Sequence, residues 1–287
     1  MITLLRGEAF RLGPRSGLTI LAGACCLCAT GCVSGSAGSA DGWRAEVIEV
    51  PSPFGPNAVL DTTGRHFRGD AGYRLHLLVD AVGIDFSSSL TFCETLRKHP
   101  KGPRKARTVG HCWLILESPE GILECGHTGE FGYKKPTYYR GLLRRLAAGD
   151  PNPSAYLFES MSDGRFHRGP GGHAPTVAAS MPITRDQHRA ILNYINTYDY
   201  KDFRMTGQAC NDFPAGAAAL AGLRVSHQIR LTLPAEVVYR GTKRRLWTDD
   251  KYREIVIGSP DVLERFLGHL VREGVLEDSL EWYYGSG

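Results

Sequence analysis

The segment Val109-Gly110-His111-Cys112-Trp113-Leu114-Ile115-Leu116 constrains the fold more than any other stretch of this chain. In a strand, successive side chains point to opposite faces. His111, Trp113 and Ile115 then share one face, and Cys112, Leu114 and Leu116 share the other. Both faces are largely apolar, so the strand must lie inside a sheet that is covered on each side. Ser118-Pro119-Glu120-Gly121 reads as a turn, and Ile122-Leu123-Glu124-Cys125 begins a returning strand. Together they predict a β-hairpin. A histidine on such a strand is either a hydrogen-bonded core residue or a group that does chemistry.

Around this hairpin the chain mixes strands with helices. Strands are predicted at 73–80, 155–158, 176–181 and 228–233, and a helix at 138–148 carrying Arg144 and Arg145. Thr184-Arg185-Asp186-Gln187 is a capping box that opens a helix with Ile191, Tyr194 and Ile195 at helical spacing. Ser259 reads as the N-cap of a last helix, with Pro260 at its first position and Val262, Phe266, Leu267 and Leu270 as its apolar face. Residues 43–69 are punctuated by proline and glycine and read as a loosely packed lead-in. No internal repeat is visible. The mixture predicts an α+β fold.

The front of the chain reads as an address. Arg6, Arg11 and Arg15 precede an apolar run at 18–29 that is too short to span a bilayer as a helix. That order is the order of a secretory signal. The run ends in Ala29-Thr30-Gly31-Cys32, which resembles the lipobox of bacterial lipoproteins, where small residues precede a cysteine that is lipidated and becomes the new N-terminus. Ala22-Gly23-Ala24-Cys25 is a second match that leaves a very short apolar stretch, so Cys32 is the predicted lipidation site. The Ser34-to-Ala40 stretch reads as a flexible tether. The resemblance implies an exported protein anchored to a membrane of the bacterial cell envelope. The alternative is an ordinary cleaved signal, or an uncleaved anchor, on an unmodified protein. Roughly 255 residues follow Cys32, enough for one well-filled domain with extensions or two small ones.

A formal net charge of +4 is too mild to argue for a nucleic-acid partner. Arg104-Lys105-Ala106-Arg107 and Lys243-Arg244-Arg245 read as solvated loops, with contact to anionic lipid headgroups as the alternative. Of eight cysteines, Cys25, Cys26, Cys28 and Cys32 belong to the signal. Cys93, Cys112, Cys125 and Cys210 belong to the body, where an exported protein is free to form two disulfides. None of these four has C-x-x-C spacing, so neither a metal nor a cofactor is expected.

Cys210 is the candidate nucleophile. It sits in Thr206-Gly207-Gln208-Ala209-Cys210-Asn211-Asp212-Phe213, just ahead of the small apolar run from Ala215 to Gly222. The unpaired N–H groups and the dipole at a helix start favour a thiolate. A nucleophilic cysteine needs a histidine beside it in space, and His111 is the candidate base. Histidine on a strand, a polar residue on the next strand and cysteine at a helix start come in an informative order. It resembles the circularly permuted branch of the papain-like superfamily, the NlpC/P60-like group that includes the lecithin:retinol acyltransferase-like proteins. The carriers are Val109-Gly110-His111-Cys112-Trp113 and Ala209-Cys210-Asn211-Asp212-Phe213, with Ala209 in place of the usual asparagine.

The resemblance covers residues 70–235 and implies a permuted papain-like fold, an antiparallel sheet with packed helices. It implies Cys210 as nucleophile, His111 as base, and Glu124 or His127 as the third residue that orients the imidazole. The implied chemistry is hydrolysis of an amide or ester through a thioester, with cell-envelope peptide as the leading substrate and acyl transfer on lipid as a variant. The expected organisation is signal and lipidated cysteine (1–32), tether and lead-in (33–69), papain-like domain (70–235) and a C-terminal helical extension (236–287). The opposed reading is a non-catalytic envelope or binding lipoprotein, with Cys210 bridged, Cys93 being the leading partner, or sealed in apolar packing. His127, His167 and His173 sit in glycine-rich loops and, taken alone, each reads as an ordinary surface residue, and Asp212 as a helix cap.

Overall fold

The two-faced strand organises the protein. A computed structural model describes residues 42–50, 67, 69–87, 110–129, 144–159, 164–204, 206–239 and 241–285. Its strands are β1 (Arg44–Ile48), β2 (Arg74–Asp80), β3 (His111–Ser118), β4 (Gly121–Gly129), β5 (Gly164–Arg168), β6 (Val177–Pro182), β7 (Gln228–Thr232), β8 (Glu236–Tyr239), β9 (Thr242–Arg245), β10 (Glu254–Gly258) and β11 (Glu277–Asp278). Its helices are α1 (Arg185–Thr197), α2 (Asp212–Leu220), α3 (Pro260–Arg272) and α4 (Leu280–Gly285). The fold is α+β, and its sheets are antiparallel.

Six strands form the main sheet in the order β11-β6-β2-β3-β4-β5. β3 lies inside it, paired with β2 on one side and β4 on the other. One face carries Leu75, Leu77, Cys112, Leu114 and Leu116 and packs against Ile191 of α1, Phe213 and Ala217 of α2, and Leu267 of α3. The other face carries Leu78, Trp113 and Ile115 and is covered by Leu280, Trp282 and Tyr283 of α4. Both faces are thus buried, as the apolar run requires. The small residues of α2 let its backbone come close to the sheet: Ala217 and Ala218 are wholly buried. Phe213 is wholly buried beside them, and truncating it to alanine would cost about 3–5 kcal/mol.

Capping follows the expected chemistry. The Thr184 hydroxyl accepts from the Gln187 N–H while the Gln187 side chain takes the Thr184 N–H, closing the capping box of α1. Ser259 caps α3, with Pro260 inside its first turn.

A second sheet, ordered β1-β7-β10, has its own core of Trp43, Ile229, Leu231, Ile255 and Ile257. β8 and β9 form a separate hairpin that carries Lys243, Arg244 and Arg245. These elements correct three expectations. The lead-in contains strand β1, which pairs with β7 across the whole of the intervening chain. Residues 236–287 are not a helical extension, since they supply β8 to β11 as well as two helices. Residues 155–158 are not a strand. Pro153 opens a 3-10 turn over Pro153–Phe158, and the buried Ser154 hydroxyl holds it by donating to the Leu246 carbonyl at 2.7 Å. The helix expected at 138–148 is helical at 144–148, and its earlier part lies outside the described residues. The signal, Cys32, the tether to Ala40, Cys93 and the basic stretch Arg104-Lys105-Ala106-Arg107 also lie outside them. No helix among the described residues is long and apolar enough to cross a membrane.

Candidate active site

The pleat sorts the expected site residues onto two faces. Leu114 pairs with Cys125, Trp113 with Gly126 and Ile115 with Glu124 across the hairpin. Glu124 therefore shares the Trp113 face with His111. Cys125, and two residues on His127, share the helix-covered face with Cys112. Cys210 leads into α2, whose Phe213 and Ala217 pack with Cys112 on that same helix-covered face, and the nearness of its thiol helps raise the Cys112 pKa. The structure brings Cys210 and His127 to one side of the sheet and leaves His111 and Glu124 on the other. The pairing of Cys210 with His111 expected from the sequence is not formed, because α2 packs on the face of Cys112, the neighbour of His111.

Cys210 lies two residues ahead of α2 in a tightly tied turn. It is free and 7% exposed. Its Sγ donates to Asn211 Oδ1 at 3.4 Å. Asp212, the first residue of α2, accepts the upstream Ala209 N–H on Oδ2 at 2.8 Å, so it ties the turn and is not the helix cap expected from the sequence. The other carboxylate oxygen, Oδ1, accepts from His227 Nε2 at 3.1 Å and Gln228 Nε2 at 3.2 Å. Burial disfavours a charge on His227, but its hydrogen bonds to Asp212 and the Val225 carbonyl outweigh that and raise its pKa above the ordinary imidazole value. The turn is thus fastened to the residues that lead into β7.

His127 is fully buried on β4. Its Nε2 lies 3.0 Å from the Tyr200 carbonyl oxygen, so Nε2 carries the hydrogen and Nδ1 keeps the lone pair. Nδ1 accepts from the Tyr198 hydroxyl at 3.4 Å. Burial pushes the His127 pKa down, against the opposing pull of the Tyr200 carbonyl, Asp212, Asp202 and the Ala209 carbonyl. That last group belongs to the residue before Cys210. Tyr198, Tyr200 and Phe203 surround the ring edge to face at 5.0–5.7 Å. Gly164 makes room for it, since a Cβ there would stand 2.8 Å from His127 Nε2. A neutral imidazole with a fixed tautomer and a lone pair on Nδ1 is a competent proton acceptor.

The other two described cysteines, Cys112 and Cys125, are buried. Burial pushes the Cys125 thiol up to about 12 and the Cys112 thiol well above its ordinary value, the contact with Cys210 adding to the second. Cys112, Cys125 and Cys210 are all free, so no disulfide joins any two of them.

On the opposite face His111 joins a cluster that the sequence did not reveal. Its Nε2 lies 2.9 Å from His167 Nε2, and its ring stacks on His173 at 4.5 Å. His167 Nδ1 is 3.0 Å from the Gly169 carbonyl, and His173 Nδ1 is 2.8 Å from Asp80 Oδ2. Burial, then the neighbouring histidines, push the His111 pKa well down. Glu124 accepts from Trp113 Nε1 at 2.8 Å and from the Tyr283 hydroxyl at 3.1 Å, which makes it an anchor for α4 rather than a partner of an imidazole. His167 sits on β5 over Gly126, not in a surface loop. This strand had no legible signal, because Phe166 is the one large apolar residue in Gly-Arg-Phe-His-Arg. Among the described residues no three histidine, cysteine or acidic side chains are arranged to hold a metal ion.

No protein-family model, no curated protein and no solved structure matches this chain.

Proposed function

We propose that this protein is an exported, membrane-anchored cysteine hydrolase with a permuted papain-like domain, in which Cys210 is the nucleophile and His127, not His111, is the base. The observation that carries the reading is the common face of Cys210 and His127, with the Tyr200 carbonyl holding the His127 lone pair on Nδ1. The resemblance of Ala209-Cys210-Asn211-Asp212-Phe213 to the NlpC/P60-like group supports the same reaction class, while its Gly110-His111 half does not, since His111 lies on the other face.

The chemistry is acyl transfer. The Cys210 proton passes to His127 Nδ1, and the thiolate adds to the carbonyl carbon of an amide or ester. The oxyanion forms at the turn into α2 with the Cys210 N–H as its donor, since the Asp212 N–H is given to the Ala209 carbonyl and Pro214 has none. His127 returns its proton to the leaving nitrogen or oxygen as the C–N or C–O bond breaks, leaving a thioester on Cys210. Water, deprotonated by the same imidazole, adds to the thioester and releases the acid and the thiol. The substrate class is cell-envelope peptide, and acyl transfer from lipid is the variant that the same steps allow.

A second reading, a non-catalytic envelope lipoprotein, is favoured by the burial of the pair: Cys210 is 7% exposed and His127 not at all. The pH dependence of iodoacetamide labelling, mapped to individual cysteines, separates the two. Selective labelling of folded Cys210, with a midpoint well below the ordinary value of about 8.5, is the result expected of the hydrolase. A Cys210 that labels only on unfolding leaves the scaffold.

A further inference from the structure

The turn that carries Cys210 buries an amide with an unused donor. Asn211 is 1% exposed, its Oδ1 accepts the Cys210 thiol at 3.4 Å, and its Nδ2 has no hydrogen-bond partner. A primary amide brings two N–H donors, and leaving them unpaired in the interior is costly. The side chain is nevertheless firmly seated. Gly258, at the end of β10, makes space for it, since a Cβ there would lie 2.7 Å from Asn211 Oδ1 and 3.0 Å from its Cγ. The next residue, Asp212, is tied to His227 and Gln228. The amide is therefore wedged between the thiol and the three-stranded sheet.

The two ends of an amide have nearly the same shape and opposite hydrogen-bonding character. With Oδ1 towards sulfur, Asn211 accepts from S–H, which suits the protonated thiol. Half a turn about the Cβ–Cγ side of the amide presents an N–H instead, which suits the thiolate, a pure acceptor that binds a donor more strongly than a neutral group does. That rotation also exchanges a buried orphan N–H for a buried carbonyl oxygen, which interiors tolerate better.

We propose that Asn211 is a positioning residue for Cys210, whose side-chain amide turns over as the thiol loses its proton and donates an N–H to the thiolate. The role rests on the reading of Cys210 as nucleophile. In the step only the S–H bond breaks, and its proton goes to His127 Nδ1. The Asn211 contact changes from accepting to donating, and Gly258 supplies the room.

The test is iodoacetamide labelling of Cys210 in the full chain, from about pH 5 to about pH 10, a span that brackets the ordinary thiol value. In Asn211→Ala the midpoint of labelling moves up by about one unit, the size of a lost hydrogen bond to a charged group. Asn211→Asp keeps the shape and replaces donors with acceptors, so it moves the midpoint further in the same direction. Gly258→Ala leaves residue 211 unchanged but displaces its amide, and again raises the midpoint. Circular dichroism checks that each variant is folded, and the three substitutions make the result independent of any one of them. An Asn211→Ala profile that superimposes on the parent overturns the inference, as does a midpoint that rises in Asn211→Ala but not in Asn211→Asp. A parent Cys210 that takes no label at any pH while folded overturns the nucleophile reading and this role with it.

Discussion

His127 hangs by its Nε2 from the Tyr200 carbonyl, 3.0 Å away, and this one contact commits its lone pair to Nδ1. The tautomer of His127 is thus set by a backbone oxygen rather than by an acidic side chain.

If His127 is the base, His127→Ala lowers kcat/KM on a reporter ester or amide about 100-fold or more. His111→Ala, whose side chain lies on the other face, stays within about threefold of the parent. Steady-state kinetics on the two folded variants decide the matter. A loss confined to His111→Ala returns the role to His111.

Thiol chemistry should single out one described cysteine. Cys125, pushed up to about 12, and Cys112, pushed well up by burial, stay protonated and unlabelled in the folded protein at neutral pH. Mass mapping after iodoacetamide should find Cys210 modified and the other two modified only after denaturation. Early modification of Cys112 or Cys125 would contradict the packing of the main core.

Stability should depend on pH in two directions. Burial depresses the pKa values of His111, His127 and His76 below the unfolded value near 6.5. The unfolded chain then binds more protons in the window beneath that value, so stability is whole above about pH 6.5 and is lost as the pH falls. His227 runs the other way: its raised pKa gives a contribution that is present below about pH 6.5 and is lost as the pH rises through its folded value. Urea midpoints should drop from about pH 7 to about pH 5. His111→Gln should flatten the acid limb and His227→Gln the alkaline one. Unchanged midpoints across the acid range would refute the assignment of neutral buried imidazoles.

Glu124 holds Trp113 and Tyr283 together from the centre of the α4 contact. Glu124→Ala should cost about 2–3 kcal/mol in urea unfolding, since both bonds end on an ionisable carboxylate. Hydrolysis by the folded variant should remain at the parent level. A selective loss of kcat would mean that the Trp113 face takes part in the reaction.

The local parts of this fold were legible because their causes are local. Alternation over 111–116 announced a strand buried on both faces, and the capping box at Thr184–Gln187 and the Ser259-Pro260 pair marked helix starts to within a residue. The placement of Cys210 just before a helix was equally plain, from Gly207 and the small apolar run, although Asp212 ties the upstream turn and does not cap the helix. What could not be read was β5, whose polar pattern hides a strand, and the turn at Pro153–Phe158, where a proline and a distant carbonyl override apolar residues.

By itself, then, the sequence determined that His111 and Cys112 point to opposite faces of one strand, since the pleat has a period of two. Only the tertiary structure decided which of those faces α2 covers. That choice depends on the whole apolar surface of the sheet, to which β2, β6 and α3 contribute as much as β3. It set Cys210 beside Cys112 and on the side of His127, and it gathered His111 with His167, His173 and Asp80 on the other. It also joined Arg44–Ile48, Gln228–Thr232 and Glu254–Gly258 into the sheet against which Asn211 rests. Pairing between strands so far apart in the chain leaves no periodic mark in any one of them, because it is decided by burial and register in three dimensions.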